Sequence, residues 1–252
     1  MMVKYIVFDL DDTLLNSERE VSAFTLSTLK KLQKLGHFLI INTARSKMYA
    51  KEYIDLIKPD YAILNGGSLI IDKEHNAIYK NAITSELSNK VIKELLAISS
   101  TISVQTENIL YSSSKYKAQN AVVFDFINDI FKEESFKILS CSSFDEKVFE
   151  IAKKYNLECV SYFSGDWKRI NAKGSSKWNG VKELMRIING DINNVITFGD
   201  DVGDLEMIEN ASVGVLMKNS RDEIKKDTIC ISKYSNDEDG VAKFLIEYLL
   251  KN

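Results

Sequence analysis

Short apolar runs alternate with stretches whose apolar positions recur three and four residues apart, and this alternation organises the first third of the chain. A strand is predicted over Lys4–Leu10. A helix near Ser22–Leu35 follows, with Phe24, Thr28, Leu32 and Leu35 on one face and Gly36 as its stop signal. "HFLIINTAR" reads as a strand ending at Asn42, followed by an amphipathic helix carrying Tyr49, Tyr53, Leu56 and Ile57. Pro59, the only proline, marks the turn before a third short strand in "KPDYAILNGG". Strands alternating with helices imply right-handed crossovers and a parallel sheet covered on both faces.

The pattern changes near Ile83. A helix, "SELSNKVIKELLAIS", leads into two β-like runs, "ISVQTE" and "ILYSSS", with Asn108 at the turn. Ala118–Lys132 is read as helix. "FKILSCSS", a helix "DEKVFEIAKKYN", "LECVSYFS" and "WKRINA" complete an α+β module with a largely antiparallel sheet. Its aromatics, Tyr111, Tyr116, Phe124, Phe126, Tyr162 and Phe163, are expected to be mainly core. After Gly174 the alternating pattern returns: helix "SSKWNGVKELMRII", strand "NVITFGD", helix "LEMIENA", strand "SVGVLM", helix "RDEIKKD", strand "ICIS" and a last helix from Asp239. The simplest arrangement is an α/β core built from residues 1–82 and 169–252, with an α+β domain inserted over 83–168.

A chain of 252 residues, 45% hydrophobic and 27% charged, suits a globular protein with a sizeable core. The net charge of −3, with acids and bases interspersed, speaks against a nucleic-acid binder. No run approaches the roughly 18 apolar residues of a membrane span, and "MMVKYIVFDLDD" does not read as a signal peptide. Cys141, Cys159 and Cys230 are widely spaced and odd in number, as expected of reduced thiols in a cytoplasmic protein. His37 and His75 have no partner cluster and are not expected to ligate metal or act as bases.

The polar groups that break this pattern fall at the carboxyl ends of predicted core strands, where open α/β sheets bind ligands. They are "DLDDT" after the first strand, Thr43 after the second, "NGG" (65–67) after the third and "GDDVGD" (199–204) after a later one. Lys177 starts the helix that resumes the core. Carboxylates from two distant strand ends make a negative, oxygen-rich pocket suited to Mg²⁺. A hydroxyl and an ammonium, Thr43 and Lys177, suit a phosphoryl group. The pattern offers no serine, cysteine or histidine nucleophile, but an aspartate can attack phosphorus, and a second carboxyl two residues on can move the protons. Asp12 should point away from the pair. Asn65 is placed either in a tight turn or at the site's rim, and Arg45 either on a second anionic group of the substrate or in a surface ion pair.

These residues resemble the haloacid dehalogenase (HAD) superfamily, and within it the Cof-type phosphatases with a large inserted (C2-type) cap. The DxDxT signature is Asp9, Asp11 and Thr13; Thr43 in "NTAR", Lys177 in "GSSKWNG" and the acidic "GDDVGDLEM" follow in the family's order. The resemblance implies a HAD-like Rossmannoid core, with Asp9 as nucleophile and Asp11 as general acid/base. It also implies Thr43 and Lys177 on the phosphoryl group, Arg45, Asn65 and Gly66 on the substrate, and Mg²⁺ held by Asp9, Asp11, Asp200 and Asp204. The implied activity is hydrolysis of a small phosphorylated metabolite, such as a sugar phosphate, through an aspartyl phosphate. A phosphotransferase or phosphomutase on the same scaffold, or a non-catalytic phosphate-ester-binding regulator, are the alternatives. A signalling receiver, half this length with a mid-chain aspartate, fits poorly. Two positions depart from the family pattern: Ala44 stands where "TGR" has glycine, and Gly203 where asparagine is common.

Overall fold

The computed structural model describes residues 2–114, 120–161, 166–226 and 229–250. Its elements, in chain order, are β1 (Tyr5–Phe8), α1 (Ala23–Lys34), β2 (Phe38–Asn42), α2 (Lys47–Ile57), β3 (Tyr61–Leu64), β4 (Leu69–Asp72) and β5 (Ala77–Lys80). Next come α3 (Ser85–Leu95), β6 (Thr101–Gln105), β7 (Leu110–Ser112), β8 (Val122–Val123), β9 (Lys137–Cys141), α4 (Asp145–Lys154), β10 (Leu157–Ser161) and β11 (Trp167–Ala172). The chain closes with α5 (Lys177–Ile188), β12 (Val195–Gly199), α6 (Leu205–Asn210), β13 (Val213–Leu216), β14 (Cys230–Ile231) and α7 (Gly240–Leu245).

Two compact units emerge. The first comprises Met1–Ala44, Ala50–Tyr79 and Ser176–Asn252; the second comprises Arg45–Tyr49 and Lys80–Ser175. The long segment of the second unit is wider than the expected 83–168 because β11 runs to Ala172 and the next core helix starts only at Lys177.

The first unit is built on an eight-stranded sheet in the order β14-β13-β12-β1-β2-β3-β4-β5. Pairings from β14 through β3 are all parallel. The chain builds outward from β1 through β2 and β3 on one side, then returns to place β12, β13 and β14 on the other. The order therefore reverses between β1 and β12, the position at which such sheets open a crevice beyond their carboxyl ends. The parallel expectation fails at one edge, where β3 pairs antiparallel with β4. There the chain turns straight back at Asn65–Gly67, a hairpin connection that needs no crossover helix.

Side chains alternate across the sheet. Val7, Ile40 and Ile63 pack with Trp178, Val181 and Leu184 of α5 and Met207 and Ile208 of α6. Phe198 meets Phe244 of α7 edge-on, with ring centroids 5.5 Å apart. Helix α1 is capped by Ser22, whose side chain accepts from Thr25 N at 3.0 Å. Its buried stripe is Thr25, Thr28, Leu29 and Leu32. Phe24 and Leu35, expected on that face, are exposed, because burial follows the 25-28-29-32 spacing. In α2, Tyr53 and Ile57 are buried as expected and Leu56 is not. The expected helix in "RDEIKKD" is a single turn over Asp222–Ile224; Ile224, its one buried residue, gives a longer helix no apolar face.

The second unit holds a six-stranded sheet, β10-β11-β9-β6-β7-β8. All its pairings are antiparallel except β7 with β8. Helices α3 and α4 cover the face that carries Ile102, Val104, Ile138 and Ile170. The helix expected over Ala118–Lys132 is absent among the described residues of that stretch. Asp125 instead accepts from the backbone N–H of Ile127 (3.0 Å) and Asn128 (3.2 Å), an Asx-type turn that competes with helix. Phe124, Phe126 and Phe131 form an aromatic cluster, and Tyr111 joins Phe124 and Phe131. Tyr116, Tyr162 and Phe163 lie outside the described residues. The three cysteines are free, and among the described residues no helix is long and apolar enough to cross a membrane.

Lys137 in β9 supplies a stability prediction. Burial, reinforced by the charge of Arg169, pushes its ammonium down to about 7 from an ordinary 10.5. Between those values the unfolded chain holds a proton that the folded chain releases, so stability rises as pH rises through this window. Lys137→Met removes that slope. Thermal melts should show the variant more stable than the parent at pH 7, and the gap should shrink by pH 10.

Candidate active site

Beyond β1 the chain leaves the sheet. Asp9 N still donates to Phe198 O at 3.1 Å, which carries the β1–β12 ladder one residue past the strand end. The chain then closes a wide turn over Leu10–Leu14, in which Leu15 N donates to Leu10 O at 2.9 Å. Asp11 keeps extended angles (φ −63°, ψ 129°) and is half-buried. Asp12 takes a left-handed conformation (φ 53°), which Asp tolerates better than most residues. It is exposed, and its carbonyl accepts from Asn219 Nδ2 at 2.7 Å.

Four charged groups converge beside this turn. Lys177 Nζ lies 3.0 Å from Asp9 Oδ1 and 2.5 Å from Asp204 Oδ1. Asp204 is almost fully buried, and its other oxygen accepts from the backbone N–H of Asp200 (3.1 Å) and Asp201 (3.2 Å). Thr13 Oγ1 donates to Asp200 Oδ1 at 2.8 Å. Asp9, Asp200 and Asp204 each offer an oxygen within 4.8 Å of the others'.

The electrostatics are those of an over-filled acid site. Burial pushes Asp9 up to about 7 against the pull of Lys177, and the Asp204 charge adds to the rise. Asp200 is also raised to about 7, by burial and then by Asp204, while its bond from Thr13 opposes the shift. Burial alone would depress Lys177, but attraction to Asp204 and Asp9 outweighs it and holds the ammonium above its ordinary value. Three carboxylates against one ammonium leave an excess of negative charge. An oxygen donor set of this kind fits a hard divalent cation, which would satisfy that excess.

Lys177 is delivered by the first turn of α5, and that turn is seated by glycine. A Cβ on Gly67 would stand 1.9 Å from the Ser176 carbonyl oxygen, and Gly67 has φ +101°, so only glycine lets α5 approach here. The "NGG" stretch is thus a tight turn with a packing purpose. Gly199 does the same for Asp204, whose Cβ would lie 2.3 Å from an added methyl group.

Thr43 is buried at the end of β2. Its N–H donates to Ile63 O at 2.9 Å and its carbonyl accepts from Gly66 N at 3.0 Å, joining it to the turn after β3. Asn65 is fully buried, and neither heteroatom of its amide has a hydrogen-bond partner among the described residues. Arg45 belongs to the second unit, where its Nη1 donates to Tyr49 O at 3.2 Å. His37 sits before β2, at the opposite end of that strand from Thr43. Its Nδ1 accepts from Lys4 N at 3.1 Å, and burial lowers its pKa, consistent with a neutral structural histidine.

Reasoning from sequence gives no role to Thr13, Asn42 or Gly199, and gives Gly67 only a place in a tight turn. Asn42 carries a usable signal, a polar side chain ending an otherwise apolar strand. Thr13 is part of the signature, but its partner lies 187 positions away.

The chain is similar to known proteins over almost its whole length. YkrA of Bacillus subtilis (strain 168) is 27% identical over 252 residues, with 95% of each chain covered. YitU of the same organism, named 5-amino-6-(5-phospho-D-ribitylamino)uracil phosphatase, is 25% identical with 96% of each chain covered. In fold, TM0651 from Thermotoga maritima superimposes with a TM-score of 0.85 at 20% identity, over 98% of this chain and 97% of that one. Residues 6–245 match the family described as haloacid dehalogenase-like hydrolase, and the chain therefore belongs to that family.

Proposed function

We propose that this hydrolase cleaves the phosphate monoester of a small polyhydroxylated metabolite through an aspartyl phosphate on Asp9, with Mg²⁺ as cofactor. The observation that carries the reading is the buried Asp9 carboxylate at the sheet's switch point, 3.0 Å from Lys177 and grouped with Asp200 and Asp204. The name of YitU supports the substrate class, a phosphate on a ribityl chain.

In the proposed reaction an Asp9 carboxylate oxygen attacks phosphorus in line, and the bond from phosphorus to the ester oxygen breaks. Asp11 gives its proton to that leaving oxygen. Asp11 then takes a proton from water, the water oxygen attacks phosphorus, and the bond to Asp9 breaks to release inorganic phosphate. Lys177 and Thr43 hold the phosphoryl oxygens and stabilise the charge that spreads over them. Asp9, Asp200 and the Asp11 carbonyl would hold Mg²⁺. Asp204 would act mainly as the anchor of Lys177 and of the Asp200 backbone, since both its oxygens are engaged. When bound, Mg²⁺ supplies positive charge against the phosphoryl oxygens and the acid cluster. The Gly66 N–H is already engaged by Thr43, so the proposed substrate contact in that turn is the unpartnered Asn65 amide. Arg45 is the proposed contact for a second anionic group, and the inserted unit is proposed to select the leaving group.

The test is phosphate release from an aryl phosphate and a panel of sugar and alditol phosphates, with Mg²⁺ or with EDTA. Metal-dependent turnover is expected, highest in kcat/KM on a polyol phosphate. Undiminished hydrolysis in EDTA would reject the metal assignment.

The two glycines of the acidic loop should respond oppositely to substitution. Gly199→Ala drives a methyl group into Asp204 and should lower kcat by roughly a hundredfold, the scale of a 1 Å misplacement. A Cβ on Gly203 meets nothing within 4 Å. Gly203→Asn, the family's common residue, should fold with an unchanged melting midpoint and keep or raise kcat/KM.

A further inference from the structure

Asn42 is fully buried at the last position of β2, where the preceding residues, Phe38–Ile41, are all apolar. Its amide nitrogen donates to the backbone carbonyl of Lys177 at 3.0 Å and approaches Met207 Sδ at 3.5 Å. Its amide oxygen has no partner among the described residues. A buried acceptor left unmade destabilises a fold, and an apolar side chain of the same shape would avoid it. The Lys177 carbonyl has little need of the bond, because as the first residue of a helix it already faces the N–H one turn on. Stability therefore does not account for an amide here.

Position does. Lys177 is the first residue of α5, and its ammonium must reach Asp9 and Asp204 together. Ser176 caps the helix, its side chain accepting from Asn179 N at 3.2 Å, and Gly67 allows the close approach, but neither contact grips Lys177 itself. The bond from Asn42 ties the Lys177 backbone to the residue immediately before Thr43. The two groups that hold the transferring phosphoryl in the proposed reaction are thereby linked through one side chain.

We propose that Asn42 is a positioning residue: its amide locks the Lys177 backbone to the end of β2, so that Lys177 and Thr43 address the phosphoryl group in register. The kinetic half of this inference rests on the hydrolytic reading above.

Asn42→Leu keeps the shape and removes the donor; Asn42→Ala removes the donor and leaves a small cavity, without risk of overpacking, and carries the test if the leucine variant does not fold. With an aryl phosphate as substrate, kcat should fall roughly ten- to a hundredfold, the usual scale for losing a residue that orients a site group. KM should change by less than about threefold, because the bound geometry and not binding is disturbed. The melting midpoint of Asn42→Leu should equal or exceed that of the parent. In ¹H–¹⁵N spectra of lysine ammonium groups, the resonance assigned to Lys177 by its loss in Lys177→Met should shift or broaden in both Asn42 variants. Unchanged kcat, or a fall in kcat with an unmoved Lys177 resonance, would overturn the proposal. Asp9→Asn belongs in the same series: full turnover there rejects the aspartyl-phosphate route on Asp9, and the ammonium resonance alone then judges the role of Asn42.

Discussion

Asp9→Asn should reduce phosphate release on the order of a thousandfold or more, the scale seen when a covalent nucleophile is lost, while Asp12→Asn stays within about twofold of the parent. The two acids are three residues apart and equally charged, so composition cannot separate them. Their surroundings do. Asp9 is 7% exposed, paired with Lys177, and raised to about 7 by burial; Asp12 is exposed, in a left-handed turn that asparagine adopts equally well. The amide introduced by Asp9→Asn would keep the size of the side chain but lack the oxygen charge needed to attack phosphorus. It should also relieve repulsion with Asp204. The expected melting midpoint of Asp9→Asn in EDTA is therefore no lower than that of the parent, which separates lost chemistry from lost structure. Comparable kcat values for Asp9→Asn and Asp12→Asn would remove Asp9 from the role of nucleophile.

Much of this site is readable from sequence because parallel strands buried on both faces are apolar throughout, so a polar residue at their carboxyl end stands out. "YIVF" followed by Asp9, and "VITFG" followed by Asp200, are visible in that way, and the alternating order of elements suffices to bring them together. The sidedness expected of Asp9 and Asp11 rests on the two-residue period of a strand, yet the strand stops at Phe8. What separates Asp12 from the site is a five-residue turn and a positive φ. That geometry is closed by contacts distant in sequence, including Asn219 on the Asp12 carbonyl. Gly67 and Gly199 look like turn residues for the same reason. Their purpose appears only when Ser176 and Asp204 are placed against them. The false helix over Ala118–Lys132 is the converse case, in which apolar content passes for periodicity while the Asp125 turn and the phenylalanine cluster set the chain's path.

The second large effect concerns the one ammonium in the acid cluster. Lys177→Met should abolish detectable turnover and, in EDTA at pH 7, cost about 3–5 kcal/mol of stability, the range for breaking a buried ion pair on one side. Lys177 neutralises Asp9 and Asp204 together, and neither has another cation within ion-pair distance among the described residues. Without it, Asp9 loses the attraction that opposes its burial, so its pKa must climb beyond about 7. A carboxyl whose folded pKa lies above its unfolded value binds a proton on folding, and stability then falls as pH rises between the two. The variant's deficit should therefore be largest near pH 8 and shrink toward pH 5, where Asp9 is protonated in the folded chain and carries no charge to bury. Added Mg²⁺ should restore part of the loss at pH 7 if the acid cluster holds the ion, because binding to the folded chain alone stabilises it by mass action. Denaturant melts at pH 5, 7 and 8, each with and without Mg²⁺, measure both effects. A deficit independent of pH would mean that Lys177 does not stabilise the fold through the Asp9 charge, and would remove the electrostatic argument for that pairing.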